Sequence, residues 1–380
     1  MIKKLGLLIV ILSLISVVSI DVRAENNTLQ PITSAEAIAR SYGMGGAFTA
    51  VSDDASALIF NPAGLYQSGK IGFIVSGGMV ADNVFQYGEL ADSINKFSED
   101  AEKPHEFLYN LPEELNLTGQ GLLGFKLGSA GAGGNFQARL VGDKDSSGAT
   151  YKYQLLQDGR LGLSGDIFTI PAEVGIASYG LNIRYQRLTR GEYELVMNDD
   201  NDDAPLQREW QATDSGLAVD GGLMLQMTPL VKLGVMIENL WAADLDLAAN
   251  QRIYKYDENE GWGSPEENYR QEEYSPARSS RVGLSARLPV IGTTLSADID
   301  NFPILTEDKA GDPILYLGFE NDMLLSLITV RGGTYKEADG ERVLTAGFGV
   351  NFAGGSADVG AGFAPGGNRS SIQGAVSLDL

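Results

Sequence analysis

The chain has 380 residues, with 50 acidic against 28 basic side chains and a formal net charge of −22. Such an acidic balance argues against nucleic acid as a partner, because a polyanion is repelled by it. Cysteine is absent and there is one histidine, so disulfides, Cys-ligated zinc and His-rich metal clusters are excluded.

Taken from the start, Lys3 and Lys4 precede an apolar run from Leu5 to Val18. Val22-Arg23-Ala24 then places small or apolar residues where a signal peptidase reads. This predicts a signal peptide over residues 1–24, cleaved after Ala24. The run is short for a bilayer span of about 20 residues, and no later stretch approaches that length.

Residues 41–65 are a compact stretch rich in small side chains. Gly43, Gly45 and Gly46 permit close packing or positive φ. Asp53 and Asp54 can open a turn or cap a short helix over residues 55–60. Asn61-Pro62-Ala63-Gly64 stops that helix, since the residue before proline disfavours the α region. The Gly43-Met-Gly-Gly fragment lacks the preceding strand and the correctly spaced helix of a nucleotide loop, so a packed plug is the better reading.

From residue 71 onward the pattern has period two. Leu181, Ile183 and Tyr185 oppose Asn182, Arg184 and Gln186. Leu295, Ala297 and Ile299 oppose Ser296, Asp298 and Asp300. Residues 217–228, 343–352 and 371–380 divide in the same way. Weaker alternation recurs at 71–80, 119–127, 134–141, 151–156, 161–170, 193–197, 231–240, 281–288, 313–320, 328–335 and 357–363. The tally is roughly a dozen to sixteen segments of about ten residues, enough to cross a bilayer when tilted. A soluble sandwich or propeller also alternates. Here, however, one face is Leu, Val, Ile and Phe, and the other carries Gly, Ser, Thr and isolated charges. The connectors also alternate: 287–293 and 227–231 are short, whereas 81–118, 198–208 and 242–276 are long. Short turns at one rim and long loops at the other are the habit of a membrane barrel.

The long loops are polar and acidic and are expected outside the cell. Residues 84–97 read as a short amphipathic helix. Asp199, Asp200, Asp202 and Asp203 are hard-oxygen candidates for calcium, but they lack the spacing and closing Glu of an EF-hand loop. His105, beside Pro104, has no nucleophile partner at a legible spacing, so no catalytic residue or cofactor is expected. Trp210, Trp241, Trp262, Tyr185, Tyr316 and Tyr335 are candidates for interfacial girdles.

The stretch Gly43-Met-Gly-Gly-Ala-Phe-Thr-Ala-Val-Ser-Asp-Asp-Ala-Ser-Ala-Leu, followed by Asn61-Pro-Ala-Gly-Leu65, resembles the FadL-like outer-membrane β-barrel superfamily. Residues 217–240, 279–301 and 314–334 are similar to later phrases of its PorV-like and TraF-like uncharacterised branch. The resemblance implies an all-β transmembrane antiparallel barrel of about 14 strands. An N-terminal hatch (residues 25–68) would lie inside a barrel formed by residues 69–380. Gly43, Gly45, Gly46, Asp53, Asp54, Asn61, Pro62 and Gly64 would shape that hatch. It further implies a bacterial outer-membrane location in contact with lipid, and passive passage of small hydrophobic molecules along an apolar path. The alternative is a non-transporting component of a secretion or assembly system, with protein partners docking on the acidic loops.

Overall fold

Strands that alternate apolar and polar residues form a sheet with two unlike faces, and in lipid such a sheet must close to leave no unpaired edge. The computed structural model describes residues 38–67, 71–82, 114–145, 147–169, 176–197, 205–257, 260–303, 305–336, 342–365 and 369–379. The signal peptide, His105, the 84–97 helix and the Asp199–Asp203 cluster lie outside the described residues.

The strands in chain order are β1 (Ile71–Asp82), β2 (Glu114–Leu127), β3 (Ala130–Asp145), β4 (Gly148–Thr169), β5 (Ile176–Val196), β6 (Leu206–Thr228) and β7 (Val231–Ala242). Next come β8 (Leu245–Asp257), β9 (Gly261–Trp262) and β10 (Glu266–Tyr274). The remainder are β11 (Ser279–Leu288), β12 (Thr293–Asp300), β13 (Ile314–Met323), β14 (Ile328–Lys336), β15 (Arg342–Phe352), β16 (Gly355–Phe363) and β17 (Arg369–Asp379). Seven strands from β1 to β7 and seven from β11 to β17 make a wall of fourteen. Each pairs antiparallel with the next, β7 passes directly to β11, and β17 closes on β1. Among the described residues no helix is long and apolar enough to cross a membrane.

The side chains are sorted opposite to those of a soluble sheet. Leu123, Phe125, Leu161, Leu163, Leu181, Ile183, Phe348, Val350, Ile372 and Val376 are exposed on the outside. They meet across the ladders, as in Leu161↔Ile183, Leu163↔Leu181 and Phe348↔Val359. Gln120, Asp158, Arg160, Asn182, Arg184, Asp298, Arg331, Asp358 and Gln373 are buried within. The predicted short connectors fall at one rim and the predicted long ones at the other, because each is separated from the next of its kind by an even number of wall strands.

Three sequence expectations need correction. The paired segments 151–156 with 161–170, and 181–186 with 193–197, are single strands. β4, β5 and β6 have 22, 21 and 23 residues and continue past the apolar belt. The 242–276 loop is partly sheet: β8 and β10 form a hairpin. It lays Leu245 and Leu247 against Leu188, Trp210 and Ala212, which share a face with Arg184 and Asp220. The hairpin therefore leans across the long-loop mouth of the bore. Arg270 stacks over Trp210 at 4.3 Å and Arg190 over Tyr274 at 4.6 Å. Finally, of the proposed girdle aromatics, Tyr185 and Trp241 face outward, whereas Trp210, Tyr316 and Tyr335 are buried inside. Tyr316 has the parity of Gly318 and Glu320, not of Leu315, Leu317 and Phe319, so alternation turns it inward.

Candidate functional site: the bore and the segment that fills it

Residues 38–67 have little regular structure of their own. They form helix α1 (Ala39–Gly43), helix α2 (Ala57–Phe60) and a 3-10 turn over Pro62–Tyr66. Between α1 and α2, Gly45 (φ 63°) and Gly46 (φ 82°) turn the chain through the left-handed region. Asp54 Oδ1 accepts the Ser56 N–H at 2.7 Å, an Asx turn that leads into α2. Asn61 is extended (φ −170°), which ends α2. Its Oδ1 accepts the Ala63 N–H at 3.2 Å, and its Nδ2 donates to Thr49 O at 3.1 Å and to Leu223 O of β6 at 3.0 Å.

This segment touches every strand of the wall, which only an occupant of the bore can do. Small wall hydroxyls donate to its carbonyls: Ser178 to Ala63, Ser285 to Ala50 and Thr345 to Gly43. Arg160 and Asn182 both donate to Leu58 O, at 3.2 and 2.7 Å. Asp298 Oδ2 accepts the Phe48 and Thr49 N–H groups at 2.9 and 2.8 Å. Ile38, Met44, Phe48, Val51, Ile59 and Phe60 pack with Ile74 of β1 and Leu122 of β2. Tyr42 joins Tyr316, Tyr335 and Val343. The Asp298 carboxyl therefore serves two amides that the small-residue turn does not pair itself. We expect Asp298→Ala to cost about 2 kcal/mol by orphaning two buried donors. Faster hydrogen exchange at the Phe48 and Thr49 amides is the measurement.

Inward glycines of the wall make room for this backbone. A Cβ at Gly180 would come within 2.2 Å of Pro62 C, one at Gly222 within 2.2 Å of Asn61 Oδ1, and one at Gly318 within 2.1 Å of Met44 O. The segment's own glycines are equally hemmed in. A Cβ on Gly43 would lie 2.9 Å from Gly347 Cα, on Gly45 2.5 Å from Thr334 N, and on Gly64 2.2 Å from Ser52 O.

Two ionic networks flank the segment. Toward the short-turn rim, Arg40 Nη1 meets Asp53 at 2.8 Å, and its Nε and Nη2 grip Glu320 at 2.9 and 3.0 Å. Arg331 continues the chain to Glu320 at 2.7 Å and Asp358 at 2.6 Å. Burial pushes the Asp54 carboxyl above its ordinary range, against the opposing pull of Arg40. Toward the long-loop rim, Arg160 is bidentate on Asp158 at 2.7 and 3.2 Å. Arg184 binds Glu238 at 3.1 Å, Asp220 at 3.4 Å and Asn239. Asn239 sits at φ 53° in a bulge of β7 and donates its N–H to Asp220 at 3.0 Å. Sequence reading singled out Asp53, Asp54 and Asn61 but missed Arg40, which pairs with the two aspartates, Glu320 and Arg331, which continue that network, and Asp298, which holds the Phe48 and Thr49 amides.

A cavity lies on each side of the segment. One of about 230 Å³ meets Ile38, Arg40 and Asp54 on the segment and Glu320, Arg331 and Asp358 on the wall. The other, of about 150 Å³, has Ile59 and Phe60 as its floor and Gln154, Arg184, Gln186 and Glu238 among its walls. The first is lined mostly by polar and charged groups, whereas the second mixes charged side chains with a larger apolar surface. No group of acidic or histidine side chains suited to a metal occurs among the described residues.

The chain thus forms a closed antiparallel wall of fourteen strands, apolar outside and filled within by residues 38–67. The solved structures it resembles have the same fold. The Ralstonia pickettii toluene transporter TbuX matches with a TM-score of 0.58 and 13% identity, over 92% of this chain and 100% of that one. A Pseudomonas aeruginosa FadL homologue matches with 0.57 and 10%, over 90% and 98%. The Pseudomonas putida toluene transporter TodX matches with 0.58 and 12%, over 93% and 98%. No family model matches the sequence, and neither does any curated protein.

Proposed function

We propose that this chain is an outer-membrane channel that passes small hydrophobic molecules passively. Residues 1–24 serve as its signal peptide, 25–68 as its hatch and 69–380 as its barrel. The observation that carries this reading is a bore divided into two cavities by the residue 38–67 segment, inside a wall whose outward side chains are apolar. The similar structures named as toluene transporters support it. Gly43, Gly45, Gly46 and Gly64 set the shape of the hatch, Asn61 and Pro62 seat it, and Asp53 and Asp54 brace it internally through Arg40. Uptake of toluene and a panel of other hydrophobic probes by proteoliposomes is the test. Rates equal to protein-free liposomes across the panel would remove the proposal.

Membrane insertion has its own test. Leu181 is exposed on the outer face of β5, opposite Leu163 and Gly221. Leu181→Arg is expected to cost about 2–4 kcal/mol of folding stability in a bilayer. Urea unfolding in lipid vesicles measures it, and no loss would place that face in water.

A second reading, a non-transporting component of a secretion or assembly system, is favoured by the polar lining of the cavity beside Arg40 and Asp54. Stoichiometric partners captured from membranes, together with absent uptake, would select it.

A further inference from the structure

We infer that the β11–β12 and β13–β14 turns dip into the bilayer and bind lipid acyl chains, rather than standing clear of it in water. The inference rests on the outer-membrane reading above and specifies how one part of the short-turn rim meets the lipid. The two turns are neighbours, because β12 pairs with β13 and Thr293 lies opposite Asn321. The first reads Pro289-Val-Ile-Gly292 and the second Leu324-Leu-Ser-Leu327, with no charged residue in either. Val290 and Leu325 are fully exposed, and Ile291, Met323, Leu324 and Leu327 are exposed as well. Apolar side chains gathered in this way mark an interaction surface, unlike ones scattered singly.

The outer face of the wall leads into them. On β13, Leu315, Leu317 and Phe319 give way to Asn321 and Met323, and the turn then carries Leu324 and Leu325. β12 has only 8 residues. At a rise of about 3.4 Å per residue and a tilt of about 40° it climbs about 21 Å, short of the about 25 Å of an apolar belt. The turns make up the difference. By contrast, β2 and β3 have 14 and 16 residues and cover that height unaided. Their turn is Gly128-Ser129, with no apolar side chain at its tip.

In lipid a turn must also satisfy its own backbone, since no water does so. Here side chains are spent on that task. Asn321 Nδ2 donates to Ile291 O at 2.7 Å and to Thr293 Oγ1 at 2.6 Å. Asn351 Nδ2 donates to Ser326 O at 2.7 Å. The Asp322 and Asn351 N–H groups donate to Gly292 O and Leu327 O, each at 2.9 Å. These bonds also fix Leu324, Leu325 and Ser326 at φ 50°, 58° and 64°, a left-handed run without glycine. A turn in water would draw the same bonds from solvent and would need neither asparagine.

The chain has no cysteine, so single cysteines report depth cleanly. Leu325→Cys and Val290→Cys probe the turns, Leu181→Cys the outer face and Ser129→Cys the β2–β3 turn. Each is made in the full chain and studied in phosphatidylcholine nanodiscs, where both rims are open to a charged thiol reagent. Leu325→Cys and Val290→Cys should react about tenfold or more slowly than Ser129→Cys, and as slowly as Leu181→Cys, because a charged reagent is excluded from the acyl layer. A fluorophore at 325, 290 or 181 should be quenched by lipids brominated on their acyl chains, and one at 129 should not. Ile291→Cys and Leu324→Cys stand in on the same turns where a variant does not fold. Fast reaction without quenching at 325 or 290, with 181 shielded, overturns the inference and leaves the membrane reading standing. Fast reaction at 181 as well removes both. Slow reaction without quenching means that protein, such as a second copy of this chain, covers the turns, and the inference fails. Quenching at 129 would show the whole rim submerged and would overturn the assignment to these two turns.

Discussion

Gly318→Val is expected to drive the N-terminal segment out of its seat while the wall still closes. Gly318 lies on the inner face of β13, and its register partner on β14 is Gly333. The two glycines receive Met44 and Gly45. A Cβ at 318 would lie 2.1 Å from Met44 O and 2.8 Å from Met44 C, and one at 333 would lie 2.3 Å from Gly45 N. These are backbone atoms, so no side-chain rotation relieves the clash. Gly45 cannot yield either, because Thr334 N and Leu317 O stand behind it and its φ of 63° is already in the left-handed region. Overpacking in a filled interior costs about 1–3 kcal/mol, and a backbone contact belongs at or beyond the upper end. The strand's outer residues, such as Phe319, are untouched, so the barrel should keep its heat-resistant migration on gels. The segment should become accessible to added protease, and conductance in planar bilayers should rise several-fold. Gly374→Ala is the control, since a Cβ there meets nothing within 4 Å. A protected segment and unchanged conductance in Gly318→Val would show that the segment does not bear on β13.

Local patterns carried much of this architecture in the sequence. Apolar side chains outside and polar ones inside impose a two-residue period on every strand of the wall, so the strands below the long-loop rim are legible. Above that rim the contrast fades, and there β4 and β5 read as two pieces each. There too the Leu245, Leu247 and Ala249 stripe of β8 was hidden in an acidic stretch taken for a loop. Within the segment, Asn61-Pro62 and Gly45-Gly46 are legible because they act on their own backbone. Their counterparts are not, because Asp298 lies 250 positions from Phe48 and meets it only through closure of the wall. One partnership was within reach. If the β13–β14 turn closes at Met323↔Ile328, then stepping three residues outward pairs Glu320 with Arg331. Those residues are the wall half of the network that holds Arg40.

That network gives the second large effect. Arg40 joins Asp53 at 2.8 Å, Asp54 at 3.5 Å and Glu320 at 2.9 Å, and so ties the segment both to itself and to β13. Arg40→Met leaves Asp53, Asp54, Glu320 and Asp358 with Arg331 as the one arginine remaining in this group. Breaking a buried ion pair from one side costs about 3–5 kcal/mol, and Arg40 is 20% exposed to the cavity, so about 3 kcal/mol is expected. The loss should be felt at the short-turn end of the segment, where the cavity lined by Arg40 and Asp54 lies. Conductance should rise there and favour cations, because the uncovered carboxylates line the way in. The increase should be greater at low salt, where screening is weakest. Adding Glu320→Gln to Arg40→Met removes the carboxylate most directly orphaned, while Arg331 keeps Asp358 at 2.6 Å. The double variant should therefore be more stable than Arg40→Met alone, with a coupling of at least about 1 kcal/mol in a double-mutant cycle. Additive effects, or an Arg40→Met protein with the conductance and unfolding curve of the parent, would mean that packing alone seats the segment. In that case the contacts of Asn61, Pro62 and the wall glycines would hold it, and opening would have to begin there.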